Sequence, residues 1–195
     1  MKKIKKFKIN FRQREVVRLL KNTTQITEIT SQLEEAILQE SQRLSKVVMP
    51  AAIYETLQKE HLPQELIVSP PDNWVAASLY LITISNIVEE EIKEAQRRGE
   101  NILGQVLHAL SLEALEQSTN FVQRLINEEA KSDSCELSDR QRITAVPVWR
   151  KLFEILPGDK IGVQCLENGV LQPLYSSAGI VYWIPVKKKN AKSTN

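Results

Sequence analysis

The sequence predicts an α+β fold: strands gathered with helices around one long central helix, in a single compact domain. Three observations carry this. Stretches that alternate apolar and polar residues are interspersed with stretches of helical spacing, without the regular strand–helix–strand repeat of a parallel sheet. Only six of the 195 residues are glycine, too few for an all-β sandwich joined by tight turns. One stretch, from Asn101 to about Ala130, keeps a helical period over a long run.

Taken in order, "KKIKKFKIN" sets lysines against Ile4, Phe7 and Ile9, the pattern of a short strand with a lysine-rich outer face. "FRQREVVRLLK" places Val16, Val17, Leu19 and Leu20 on a helical face. A second helix is expected over "QITEITSQLEEAILQESQRLSK", capped by Thr23 or Thr24, with Ile26, Ile29, Leu33, Ile37, Leu38 and Leu44 at helical spacing. Pro50 ends that region, and "AAIYETLQ" fits strand or helix, the strand reading around Ile53 and Tyr54 being preferred. Pro63, Pro70 and Pro71 punctuate a loop-rich middle. There "SPPDNWVAAS" reads as a turn and a short helix capped by Asp72 or Asn73.

"SLYLITI" is a buried strand that runs into "SNIVEEEIKEAQRRG", a helix capped by Ser85 or Asn86 and stopped at Gly99. The long helix follows, with Ile102, Leu103, Val106, Leu107, Leu110, Leu115, Val122, Leu125 and Ile126 in a wide apolar stripe. "KSDSCELSDRQR" is polar and loses the period, so it reads as a surface loop. "VPVWRKLFEILPGD" reads as a helix with Pro147 near its first turn, closed by Pro157 and Gly158. "IGVQCLENGVLQPLYSSAGIVYWIP" then reads as strand, turn, strand. The domain is expected to span residues 1–186, with a basic polar tail over 187–195.

The net charge is only +2, so the molecule as a whole is not built to bind a polyanion. Lys2, Lys3, Lys5, Lys6 and Lys8 crowd the start, and Lys187, Lys188, Lys189 and Lys192 the end, as solvated charges that blunt a sheet edge. No aromatic-rich basic stripe points to nucleic acid. No apolar h-region follows the basic start, and no run approaches the roughly 20 residues of a membrane helix. A cytoplasmic protein with neither membrane nor nucleic acid as partner is expected. Cys135 and Cys165 form no CxxC pair and have no histidine nearby, so they read as reduced thiols rather than zinc ligands.

Spacing alone names no chemistry. His61 lies in a proline-containing linker and His108 inside the long helix; neither joins a Ser-His-Asp or Cys-His grouping. There is no GxGxxG and no P-loop. Glu89, Glu90 and Glu91 read as a solvated helix face. Glu113 and Glu116, one turn apart on the long helix, read first as a solvated face and second as a pair for a cationic ligand. Trp74, Trp149 and Trp183 read as buried anchors.

The last apolar stretch carries more. Ile161, Gly162 and Val163 are followed, without a gap, by Glu167, Pro173, Ser176 and Gly179. In that order and spacing the segment resembles the carboxy-terminal activation domain of cobalamin-dependent methionine synthase and its stand-alone relatives. Leu166, Asn168 and Ala178 stand where that family has Thr, Ser and Ser. The openings "KINFRQREVVRLLK", "VMPAAIYETL", "SLYLITISNIVEEEI" and "ILGQVLHALSLEALEQ" resemble the family at the level of pattern, extending the likeness over most of residues 5–185.

The resemblance implies a cleft for S-adenosylmethionine and a role in restoring methylcobalamin on a corrinoid held by a separate module. A flavodoxin-like donor would supply the electron. Partners implied are a corrinoid-binding protein or methyltransferase, with cobalamin reached only through them. Residues implied for the ligand are Glu167, Pro173, Ser176, Gly179 and Glu113. The family's Arg-x-x-Pro-Gly-Tyr signature falls on "ELSDRQR", where Glu136 replaces the arginine and Asp139, Arg140 and Gln141 replace Pro-Gly-Tyr. A glutamate repels the ligand carboxylate that an arginine clamps. Arg140 and Arg142 are the nearby cations that a shifted loop would bring to that task. The second reading is an interaction module that keeps the fold and has lost the ligand.

Overall fold

A computed structural model describes residues 1–24, 26 and 28–186, the side chains of 146 and 147 aside. Gln25, Thr27 and the basic tail expected over 187–195 lie outside the described residues. The strands are β1 (Lys2–Lys5), β2 (Ala51–Gln58), β3 (Ala76–Thr83), β4 (Cys135–Leu137), β5 (Gln141–Arg142), β6 (Gln164–Cys165), β7 (Leu171–Gln172) and β8 (Ser176–Pro185). The α-helices are α1 (Gln13–Thr23), α2 (Ser31–Val47), α3 (Ile87–Arg97), α4 (Asn101–Ser132) and α5 (Val146–Ile155). The main sheet is antiparallel in the order β1-β2-β3-β8-β4, and β5 also pairs with β8. β6 and β7 form a separate hairpin.

β3 lies at the centre of this sheet, and all of its residues are buried. Its side chains alternate between faces. Ala77, Leu79 and Leu81 meet Trp149 and Leu152 of α5 and Leu156 just beyond its end, while Tyr80 and Ile82 meet Val122 and Ile126 of α4. Both faces are covered, which is why "SLYLITI" is apolar throughout rather than at every second position. Each such leucine contributes about 1.5–3 kcal/mol on burial.

α4 serves two partners in succession. Its first half packs with α1 and α3 around Val106, Leu107 and Leu110, and its second half lies on the sheet. The stripe is wide because both demands are met by one helix. Gly99, at φ 74, makes the turn between α3 and α4 that a side chain would strain.

Three sequence expectations are corrected. The cap of α2 is Thr30, whose side chain accepts a hydrogen bond from the Leu33 N–H at 3.3 Å, whereas Thr24 closes α1. No helix forms in residues 69–78: Asn73 adopts φ 60, and β3 begins at Ala76 because the chain there pairs with Gln58 on one side and Trp183 on the other. Residues 131–142 are not wholly loop, since Cys135–Leu137 and Gln141–Arg142 pair with two parts of β8. The physical reason is that the outer edge of β8 presents backbone groups that need partners, and a polar segment supplies them as well as an apolar one.

The tryptophans are all buried beside the sheet. Trp74 packs edge-on against Tyr182 at 5.1 Å, Trp149 lies against Phe153, and Trp183 donates its indole N–H to Ser78 Oγ at 2.8 Å. Cys135 is buried, Cys165 is half-buried, and both are free. No helix among the described residues is long and apolar enough to cross a membrane.

Candidate functional site

Gly179 points to the α4 face of β8, and a side chain there does not fit. A Cβ would stand 2.5 Å from Tyr80 Cζ and 2.6 Å from the Gln141 carbonyl oxygen. Its absence lets β5 settle against β8, with Arg142 opposite Gly179 and Gln141 opposite Ile180. This register delivers Arg140 and Arg142 to the rim of a cleft of about 620 Å³. Tyr80 and Ser177 belong to the sheet side of that cleft, and residues from Leu112 to Asn120 of α4 and from Arg12 to Leu19 at the start of α1 complete it.

The cleft is rich in charge. Glu113, almost fully buried, receives the Arg12 guanidinium through Nε at 2.8 Å and Nη2 at 3.1 Å, and the Gln117 amide at 2.9 Å. Arg12 is held above the usual guanidinium range, first by the hydrogen bond to Glu113. Arg140 places Nη2 at 2.7 Å from both oxygens of Glu116 and Nη1 at 3.4 Å from Asn120 Oδ1. Arg142 is exposed and makes no side-chain ion pair among the described residues. Four arginines face three glutamates across the cleft. Tyr80, buried between them, has its phenol pushed up chiefly by burial, so it stays protonated.

Of the residues singled out from the sequence, the cleft unites Glu113, Arg140 and Arg142, with Gly179 as the bare patch that allows their approach. Ser176 is buried and donates to Thr83 Oγ1 at 3.0 Å on the other face of the sheet. Pro173 is buried just ahead of β8. Glu167 is exposed at the β6–β7 turn and lines a small hollow with Trp149 and Phe153, apart from the cleft. Glu136 sits on β4 opposite Ile184 and does not line the cleft; the arginines enter further along.

Sequence reasoning missed Arg12, Arg18 and Tyr80 as cleft residues. Asn120, one helical repeat beyond Glu113 and in line with Glu116, carried a usable signal, because all three share one face of α4. Arg12 carried none: its partner is 101 residues away.

Among the described residues, no group of three or more His, Cys, Asp or Glu side chains is arranged to hold a metal ion. No family model matches the chain, and no curated protein matches its sequence. Among solved structures, the crystal structure of the MetH reactivation domain bound to AdoHcy matches with a TM-score of 0.63 and 11% identity, over 96% of this chain and 79% of that one. The likeness is one of fold: this chain has the α+β architecture of the methionine synthase activation domain.

Proposed function

We propose that the chain binds S-adenosylmethionine or S-adenosylhomocysteine in this cleft, as an accessory protein of corrinoid-dependent methyl transfer. The observation that carries the reading is the entry of Arg142 from β5, and of Arg140 just before it, opposite Glu113 and Glu116 of α4. The amino-acid end of such a ligand is a zwitterion. It needs a fork-shaped cation for its carboxylate and an acceptor for its ammonium. Arg142, free of an ion pair among the described residues, meets the first need, and Glu113 and Glu116 the second.

The size of the cleft, about 620 Å³, suits a ligand of this class. The structural neighbour is described as bound to AdoHcy, which lends the reading further support. S-adenosylmethionine, when bound, would bring the methyl group on its sulfonium, which S-adenosylhomocysteine lacks; this chain holds and orients the ligand and keeps water away. The corrinoid belongs to a corrinoid-binding protein or methyltransferase, with a flavodoxin-like electron donor as the third partner.

A specific observation also favours a second reading, a non-catalytic interaction module. The Arg12–Glu113 and Arg140–Glu116 pairs satisfy one another without a ligand. Isothermal titration with S-adenosylmethionine and S-adenosylhomocysteine, with and without a corrinoid-binding methyltransferase, separates the two. Saturable heat is expected, weakened about tenfold or more by Arg142→Ala, the worth of one charge-assisted hydrogen bond. No heat in either setting overturns the ligand reading. Binding to the methyltransferase alone supports the module.

A further inference from the structure

A second cavity, of about 560 Å³, shares no lining residue with the cleft. It lies between the end of α1, α3, the first turns of α4 and the chain entering β8. Asn101, Gln105 and His108 recur on one face of α4 at the spacing of successive turns, and Gln96 joins them from α3. Among the described residues these three amides, Gln96 and Asn101 exposed and Gln105 half-buried at the cavity wall, make no side-chain hydrogen bond to protein, so a ligand there competes only with water for them. His108 spends Nδ1 on the Tyr175 hydroxyl at 2.6 Å. Its other ring nitrogen remains for a ligand.

The charge is as informative as the hydrogen bonding. The cavity's lone carboxylate and ammonium, Glu89 and Lys93, are bonded to each other at 2.9 Å, and Glu89 also accepts the Leu174 N–H at 2.9 Å. Burial keeps His108 neutral at pH 7. The cavity therefore offers paired amide donors and acceptors with no spare charge. Ile92 and Leu174 add apolar surface. Side-chain amides of this kind make two-point contacts to the donor–acceptor edge of a nucleobase.

We propose that this cavity is a second ligand site, for a neutral nucleoside or nucleobase read by the amides of Gln96, Asn101 and Gln105 and by His108. The test is isothermal titration of the full chain with adenosine and uridine, together with the His108 ring resonances by NMR. At least one nucleoside is expected to bind and to shift His108. Asn101→Ala with Gln105→Ala, both at helix positions that tolerate alanine, weakens that binding about tenfold or more, as loss of a two-point contact does. Adenosine 5′-monophosphate is expected to bind more weakly than adenosine, because among the described residues the one cation lining the cavity, Lys93, is already paired with Glu89. His108 unmoved by both nucleosides overturns the proposal. So does equal or tighter binding of the monophosphate. Loss of nucleoside binding in Arg142→Ala with His108 unmoved places the ligand in the cleft and also overturns it.

Discussion

His108 is half-buried, and burial pushes its imidazole down from the ordinary 6.5 because the charged ring loses hydration. Its partner Tyr175 is pushed up to about 12, chiefly by burial, and stays a neutral phenol. Below 6.5 the unfolded chain takes up a proton at this position that the folded chain refuses. Stability is therefore complete above that value and falls as the solution is acidified toward the lower, folded one. Glu89 acts the same way at more acid pH. Burial raises its carboxyl, but the Leu174 N–H and Lys93 outweigh that and hold it below 4.5. Urea midpoints measured from pH 8 to pH 5 should decline, and His108→Gln should flatten the decline above pH 5; an unchanged slope refutes the assignment. At this scale the sequence was legible where a residue is constrained locally. Gly179 was picked out by its register with Ser176, and the structure explains it by the crowding of Tyr80 and Gln141. Glu167 was picked out by the same register, yet it sits at an exposed turn.

Helices were legible because their period is written in neighbouring residues, and α1, α3, α4 and α5 form where the spacing places them. Their ends were less so. Four threonines, Thr23, Thr24, Thr27 and Thr30, precede the apolar run of α2, and each is a chemically adequate cap. Thr30 takes the role because Ser31 is the first residue of the helix. Thr30→Ala should cost about 1 kcal/mol, read as a lower urea midpoint, with the fold retained. A cost within a few tenths would show that the Leu33 N–H finds another acceptor as readily. The short strands β4 and β5 were illegible for a different reason. Ladder pairing uses main-chain atoms, and "CELSDRQR" carries no alternation to announce it. That omission mattered most, since β5 brings Arg142, and Arg140 just ahead of the strand, to the cleft.

For the molecule as a whole, periodicity yielded the α+β class but not the strand order, which depends on contacts far apart in the chain. β3 pairs with β2 and β8 along its full length and is covered on both faces, whereas β6 and β7 exchange only a short ladder. Amide hydrogen exchange should therefore be slowest in β3 and β8 and fast in the β6–β7 hairpin. Comparable protection in the hairpin would overturn this ranking of stability.

The placement of the three tryptophans has an optical consequence. Trp74, Trp149 and Trp183 are packed beside the main sheet, and none lines the arginine cleft or the amide cavity. Indole emission thus follows melting of the sheet while remaining blind to direct contact with a ligand at either place. A fluorescent readout of occupancy calls for a reporter introduced on the cleft wall, at Leu112 for instance, leaving the native indoles as an internal standard for folding.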